Sequence, residues 1–190
     1  MEKLSLRLRK WSPGWVALLT LLVFVVFSAT ILPAQAEQAR QNSAGADTPD
    51  LSFFYTPSQL YSMAEAYGAE GRLEYVRARF TFDVIWPVVY TVFLVATISW
   101  LYKNSFPPGS RWQLANMLPL FGALFDFFEN SFTSLVMLRY PALTPGVDWL
   151  ASLFTPLKWT LVGASSVALL VGLVVFVVGA IRRMSTVKNG

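Results

Sequence analysis

From Trp112 to Leu138 the chain reads WQLANMLPLFGALFDFFENSFTSLVML. Most of these 27 positions hold Leu, Phe, Met, Val or Ala, yet Asp126 and Glu129 stand in the middle of them. As a helix, about 20 apolar residues suffice to cross the hydrocarbon core of a bilayer. A charged side chain at that depth costs at least about 3 kcal/mol, so it turns away from lipid toward other helices or a wet cavity. Asp126, Glu129 and Asn130 are related as i, i+3 and i+4 and share one face of such a helix. That face demands neighbours, and the stretch reads as one member of a bundle.

The neighbours are uncharged apolar runs at Trp15 to Leu32 (18 residues), Val84 to Tyr102 (19) and Trp159 to Ile181 (23). The expected fold is therefore all-α: a polytopic membrane protein with a four-transmembrane-helix bundle and spans at about 14–33, 82–102, 112–138 and 156–181 of a single membrane domain, 1–190. All seven tryptophans (Trp11, Trp15, Trp86, Trp100, Trp112, Trp149, Trp159) fall near the ends of these spans, as in an interfacial aromatic belt. Lys3, Arg7, Arg9 and Lys10 precede the first span, Lys103 and Arg111 flank the short second loop, and Arg182, Arg183 and Lys188 follow the last. This distribution predicts that both termini are cytoplasmic. A rival reading of the first span is a signal peptide cleaved after Ala36, in the A-x-A pattern of Ala34 to Ala36, although its apolar core is longer than such segments usually have.

Only 14% of the 190 residues are charged, against about a quarter in soluble domains. There is no Cys and no His, which excludes disulfides, thiol nucleophiles, Cys/His zinc sites and histidine acid–base chemistry. The net charge of +4 is accounted for by topology and implies no nucleic-acid partner.

The outer loop, 34–81, divides in two. Residues 34–50 are mostly Ala, Gln, Ser, Gly and acids with little to bury, and read as a flexible tether without recognisable chemistry. Thr56-Pro57-Ser58-Gln59 then offers an N-cap, a proline at the first helical position and a capping-box glutamine. Leu60, Met63, Ala64 and Tyr67 follow on one face, so amphipathic helices over about 57–80 are expected, the first ended by Gly68 and the second running toward span two. Arg72, Arg77 and Arg79 would sit just above the membrane, anchored on lipid phosphates, unless Arg72 reaches a carboxylate or an anionic ligand below.

Span two carries a stripe that matches the acids of span three, since Asp83, Pro87 and Tyr90 follow i, i+4, i+7 spacing. An antiparallel hairpin around Pro107 brings Asp83 close in depth to Glu129 and Asn130. Lys158 has two readings. Folding spans three and four about Leu143 sets it opposite Glu129, whereas Thr155-Pro156 as cap and first residue of span four leaves it in the first turn, snorkelling to the interface. Such a cluster can hold a hard cation, relay a proton, serve as acid and base on a buried lipid, or simply lock the helices in register. Asp126-x-x-Glu129-Asn130 lacks the Glu-x-x-His elements of di-metal bundles, so no redox metal and no cofactor are expected. In span four, Ala164, Ala168, Gly172 and Gly179 form a small-residue stripe for close approach of span one or of another protomer or membrane protein. Pro87 and Pro119 are expected to kink their helices, Pro119 opening room near Asp126.

Three motifs stand together: Gly71-Arg72-Leu73-Glu74-Tyr75, Asp83 to Tyr90 with Pro87 between, and Asp126-x-x-Glu129-Asn130. With these the chain, over residues 56–135, resembles a group of small bacterial four-span membrane proteins of unassigned function. Their pattern is G-R-x-x-Y, D-x-x-x-P-x-x-Y and D-x-x-E-N. The resemblance implies the fold, a multi-pass place in the bacterial inner membrane, and Arg72, Tyr75, Asp83, Tyr90, Asp126, Glu129 and Asn130 as one candidate site, to which the residues themselves add Lys158. It implies no activity. The leading expectation is non-enzymatic binding of a lipid, a small molecule or a partner membrane protein. The alternatives are a membrane enzyme acting on a lipid by carboxylate acid–base chemistry and a proton- or cation-coupled transporter.

Overall fold

The computed structural model describes residues 1–188 except Ala44, and every regular element among them is helical. Helix α1 (Glu2–Trp11) meets α2 (Gly14–Thr30) at 86°, because Pro13 is extended and lacks the N–H that would carry the helix on. Helix α3 (Leu32–Asn42) follows α2 after one residue. The tether expected over 34–50 is thus mostly ordered: its Ala, Gln, Glu and Arg are good helix formers, and the end of α3 lies so close to α5 that a Cβ on Gly71 would stand 2.4 Å from the Asn42 carbonyl.

Helices α4 (Pro57–Ala66) and α5 (Gly68–Arg79) cap one end of the long helices. The capping box is present, with Gln59 N–H donating to Thr56 Oγ1 (3.3 Å) and Thr56 N–H to Gln59 Oε1 (2.8 Å), and Gly68 at φ +63° separates the two helices. Leu60, Ala64 and Tyr67 are buried on the expected face and pack with Tyr55, Tyr75 and Val136.

The long elements are α6 (Phe82–Ser105), α7 (Leu118–Arg139) and α8 (Val147–Lys188). By length and composition Gly68–Ser105 and Val147–Ser185 suffice to cross a membrane, and α1 with α2 makes a third if the bent pair is one span. Three expectations are corrected here. Residues Arg111–Met117 form a 3-10 turn, so the third long helix begins at Leu118 rather than Trp112. Pro119 lies in the first turn of α7, where its missing N–H is harmless, and it kinks nothing. Thr155-Pro156 does not start the last helix, which begins at Val147 and carries Pro156 inside. At Thr56 the N3 residue is Gln59, which reaches back to the cap; at Thr155 it would be Lys158, which has no acceptor to offer.

The small-residue stripe packs in part on α6 rather than on α2: a Cβ on Gly172 would stand 2.7 Å from the Tyr102 ring, and Tyr102 OH donates to the Ala168 carbonyl (2.9 Å). Of the tryptophans, Trp11, Trp15, Trp112 and Trp149 are exposed, whereas Trp86, Trp100 and Trp159 turn partly inward.

The packing is inverted relative to a water-soluble bundle. Leu18 (69% exposed), Leu170 (60%) and Val174 (61%) point outward, while Asp126, Glu129, Asn130, Thr133 and Ser134 of α7 are buried. An apolar exterior around a polar interior is stable in a hydrocarbon solvent, and the two strongly apolar helices fit a membrane protein.

Candidate functional site

The most extensive helix pair, α7 on α8, is built around Lys158. With α8 starting at Val147, Lys158 lies in the fourth turn and is 5% exposed, so it faces α7 and does not snorkel. Its Nζ forms an ion pair with Glu129 Oε2 and stands 3.6 Å from Asp126 Oδ1, and it lies 5.0 Å above the Trp159 ring. Glu129 is held from its other oxygen as well, Thr155 Oγ1 being 2.7 Å from Oε1. The Tyr55 hydroxyl is 3.0 Å from Thr155 Oγ1. Thr155 Oγ1 is the donor toward either acceptor, the Tyr55 hydroxyl or Glu129, and burial, with the Glu129 charge after it, pushes Tyr55 above its ordinary range. Tyr90 OH donates to Asp126 Oδ2 at 2.9 Å. The i, i+3 spacing of Asp126 and Glu129 is what lets a single lysine meet both.

A second cation is shared in the same way. Arg79 lies between Asp83 (Nε to Oδ2, 3.0 Å, i+4 on the chain) and Asp50 (Nη2 to Oδ2, 3.4 Å), with its guanidinium 4.5 Å over the Tyr75 ring. Tyr75 OH donates to Thr133 Oγ1 (3.2 Å), which donates to the Glu129 carbonyl (2.8 Å), so the two charged groups are linked through α7.

The sequence-derived site is thus brought together in part. Tyr90, Asp126, Glu129 and Lys158 form one network, and Asp83 joins through Arg79 rather than by touching Glu129. Asn130 is buried alongside, its Nδ2 without a hydrogen-bond partner among the described residues. Arg72 stands apart: it donates to the Ala64 carbonyl (2.9 Å) and lies over the Tyr140 ring, tying α4 to α5 and to the end of α7, and reaches no carboxylate among the described residues. Four participants were not singled out from sequence: Arg79, read as a lipid anchor, Asp50, Thr155 and Tyr55. The i, i+4 spacing of Arg79 and Asp83 was a local signal for the first; Asp50 and Tyr55 arrive from loops far away in the chain and leave none.

A cavity of about 980 Å³ runs from the α3–α5 cap down to this cluster. Phe24, Phe27, Trp86, Phe93, Val162 and Leu169 provide an apolar wall from α2, α6 and α8. Asp83, Asp126, Lys158 and Tyr90 line its polar part, along with Asp50 and Arg79; Glu129, Asn130, Arg72 and Tyr75 do not reach it. Helices α2 and α8 each pack on α6 but scarcely touch one another. Chemically, the arrangement joins a long apolar surface to buried carboxylates and an ammonium. Comparison with known protein families, with curated proteins and with solved structures finds no match to this chain.

Proposed function

We propose that this chain is a four-span protein of the bacterial inner membrane, with both termini cytoplasmic, that binds an amphiphile in the cavity between α2 and α8. The third span in this reading is α7, whose polar stripe faces the other helices. The observation that carries it is the continuity of one cavity from the Phe24, Trp86 and Phe93 wall to Asp83, Asp126 and Lys158. Ligand sites are mostly apolar with a few convergent polar groups, and a volume near 1,000 Å³ is at the upper end of what a drug-sized molecule fills, as a single acyl chain and its head would require. An apolar tail meets the aromatic wall while the head reaches the charges. Glu129, Thr155 and Tyr55 lie behind and position the lysine.

The test is mass spectrometry of the protein released from native nanodiscs, alongside Ser166→Trp, which fills the α8 side of the cavity. The expected result is one retained amphiphile per wild-type chain and its loss from a folded Ser166→Trp variant. No retained molecule, or equal retention in both, would overturn the reading. A second reading, an enzyme acting on a lipid by acid–base chemistry, draws on Asp126 and Lys158 lining the same cavity. It requires turnover that Asp126→Asn abolishes while binding persists.

A further inference from the structure

We infer that the amphiphile bound in this cavity carries a cationic head, a primary ammonium seated against Asp126 and Asp83. The inference rests on the proposed binding role and deepens it.

The argument begins with how the charges are distributed. Lys158 is shared by Asp126 and Glu129, and Arg79 by Asp50 and Asp83, so each group holds one more carboxylate than cation. Both groups are largely buried, where an uncompensated charge is costly. The remaining bases along the cavity are engaged at its mouth: Arg77 with Glu74 and Arg40 with Glu37. Among the described residues lining it, an anionic head therefore meets no cation without a carboxylate partner.

The carboxylates are unequally served. Glu129, away from the cavity, has Lys158 on one oxygen and Thr155 on the other. Asp126, in the cavity wall and 8% exposed, accepts from Tyr90 at Oδ2, but among the described residues its Oδ1 has only Lys158 at 3.6 Å, beyond hydrogen-bond reach. Asp83, also in the wall, meets a single cation. An ammonium has three donors and no acceptor, which suits an under-bonded carboxylate oxygen and a second acid nearby. Trp86 and Tyr90 in the same wall add aromatic surface of the kind that attracts ammonium groups. Lys158 and Arg79 are each already paired with two carboxylates, which offsets their repulsion of such a head.

The head can belong to a simple alkylamine or to a phosphoethanolamine lipid. Four probes with the same twelve-carbon chain separate these from other chemistries: dodecylamine, dodecyl phosphoethanolamine, dodecyl sulfate and dodecanol. Each is titrated into the full-length protein in nanodiscs of zwitterionic phosphocholine lipid. Binding is read by native mass spectrometry as the excess over Ser166→Trp. At least one amine probe is expected to bind about tenfold or more tightly than the sulfate and the alcohol; the tighter of the two amines identifies the source. Asp126→Asn and, independently, Asp83→Asn should each shrink that preference. Sulfate or alcohol binding as tightly as both amines overturns the ammonium head and leaves the cavity reading standing. No probe exceeding the Ser166→Trp background overturns both.

Discussion

Glu129 is the residue on which α7, α8 and the segment before α4 converge. It is 1% exposed, ion-paired to Lys158 and hydrogen-bonded by Thr155, whose Oγ1 is also donor to the Tyr55 hydroxyl. Removing one partner of a buried pair leaves the other uncompensated and costs about 3–5 kcal/mol. Lys158→Met strips two buried carboxylates of the cation they share and should therefore destabilise the protein by about that much. Removing the three charges together, Glu129→Leu and Asp126→Asn with Lys158→Met, should recover most of the loss. Unfolding in mild detergent checks this, and a triple variant no more stable than the single one would contradict the assigned pairing. The pairing was one of two readings open from sequence. What decided it is the start of α8 at Val147, which moves Lys158 out of a first turn and into the interior.

At the scale of elements, local signals were legible where they were complete. Thr56-Pro57 with Gln59 is a reciprocal cap and starts α4; Thr155-Pro156 shares only its first two residues and lies inside α8. The inward stripe of α7 was legible from spacing, since three polar residues on one face have only one direction to turn. Helix α3 was not, because its order depends on docking against Gly71, 29 residues beyond Asn42 in the chain, and composition carries no trace of that contact. The α6–α8 contact has a prediction of its own. Gly172 faces the Tyr102 ring with no room for a Cβ, while Gly163 on the same helix has nothing within 4 Å. Gly172→Leu should destabilise by about 1–3 kcal/mol through overpacking and break the Tyr102 bond to Ala168, whereas Gly163→Leu should be close to neutral. Equal thermal shifts for the two variants would argue against this packing.

At the scale of the whole molecule, the helices present apolar side chains outward and enclose two cations, each shared by two carboxylates, at the end of an apolar cavity. The two strongly apolar helices were readable from the apolar runs and the absence of charge within them. The cavity was not, because it is made by what fails to touch: α2 and α8 both lean on α6 and leave space between them. No periodicity along one chain segment records such a gap. The central claim is that an amphiphile occupies that space. It is tested most directly by photo-cross-linking in native membranes, with benzoylphenylalanine placed at Phe93, inside the cavity, or at Val167, on the exposed face of α8. A single defined lipid or amine adduct at position 93, against adducts that follow the bulk lipid composition at position 167, is the result expected. Bulk composition at both positions, or cross-links at position 93 only to protein, would contradict it.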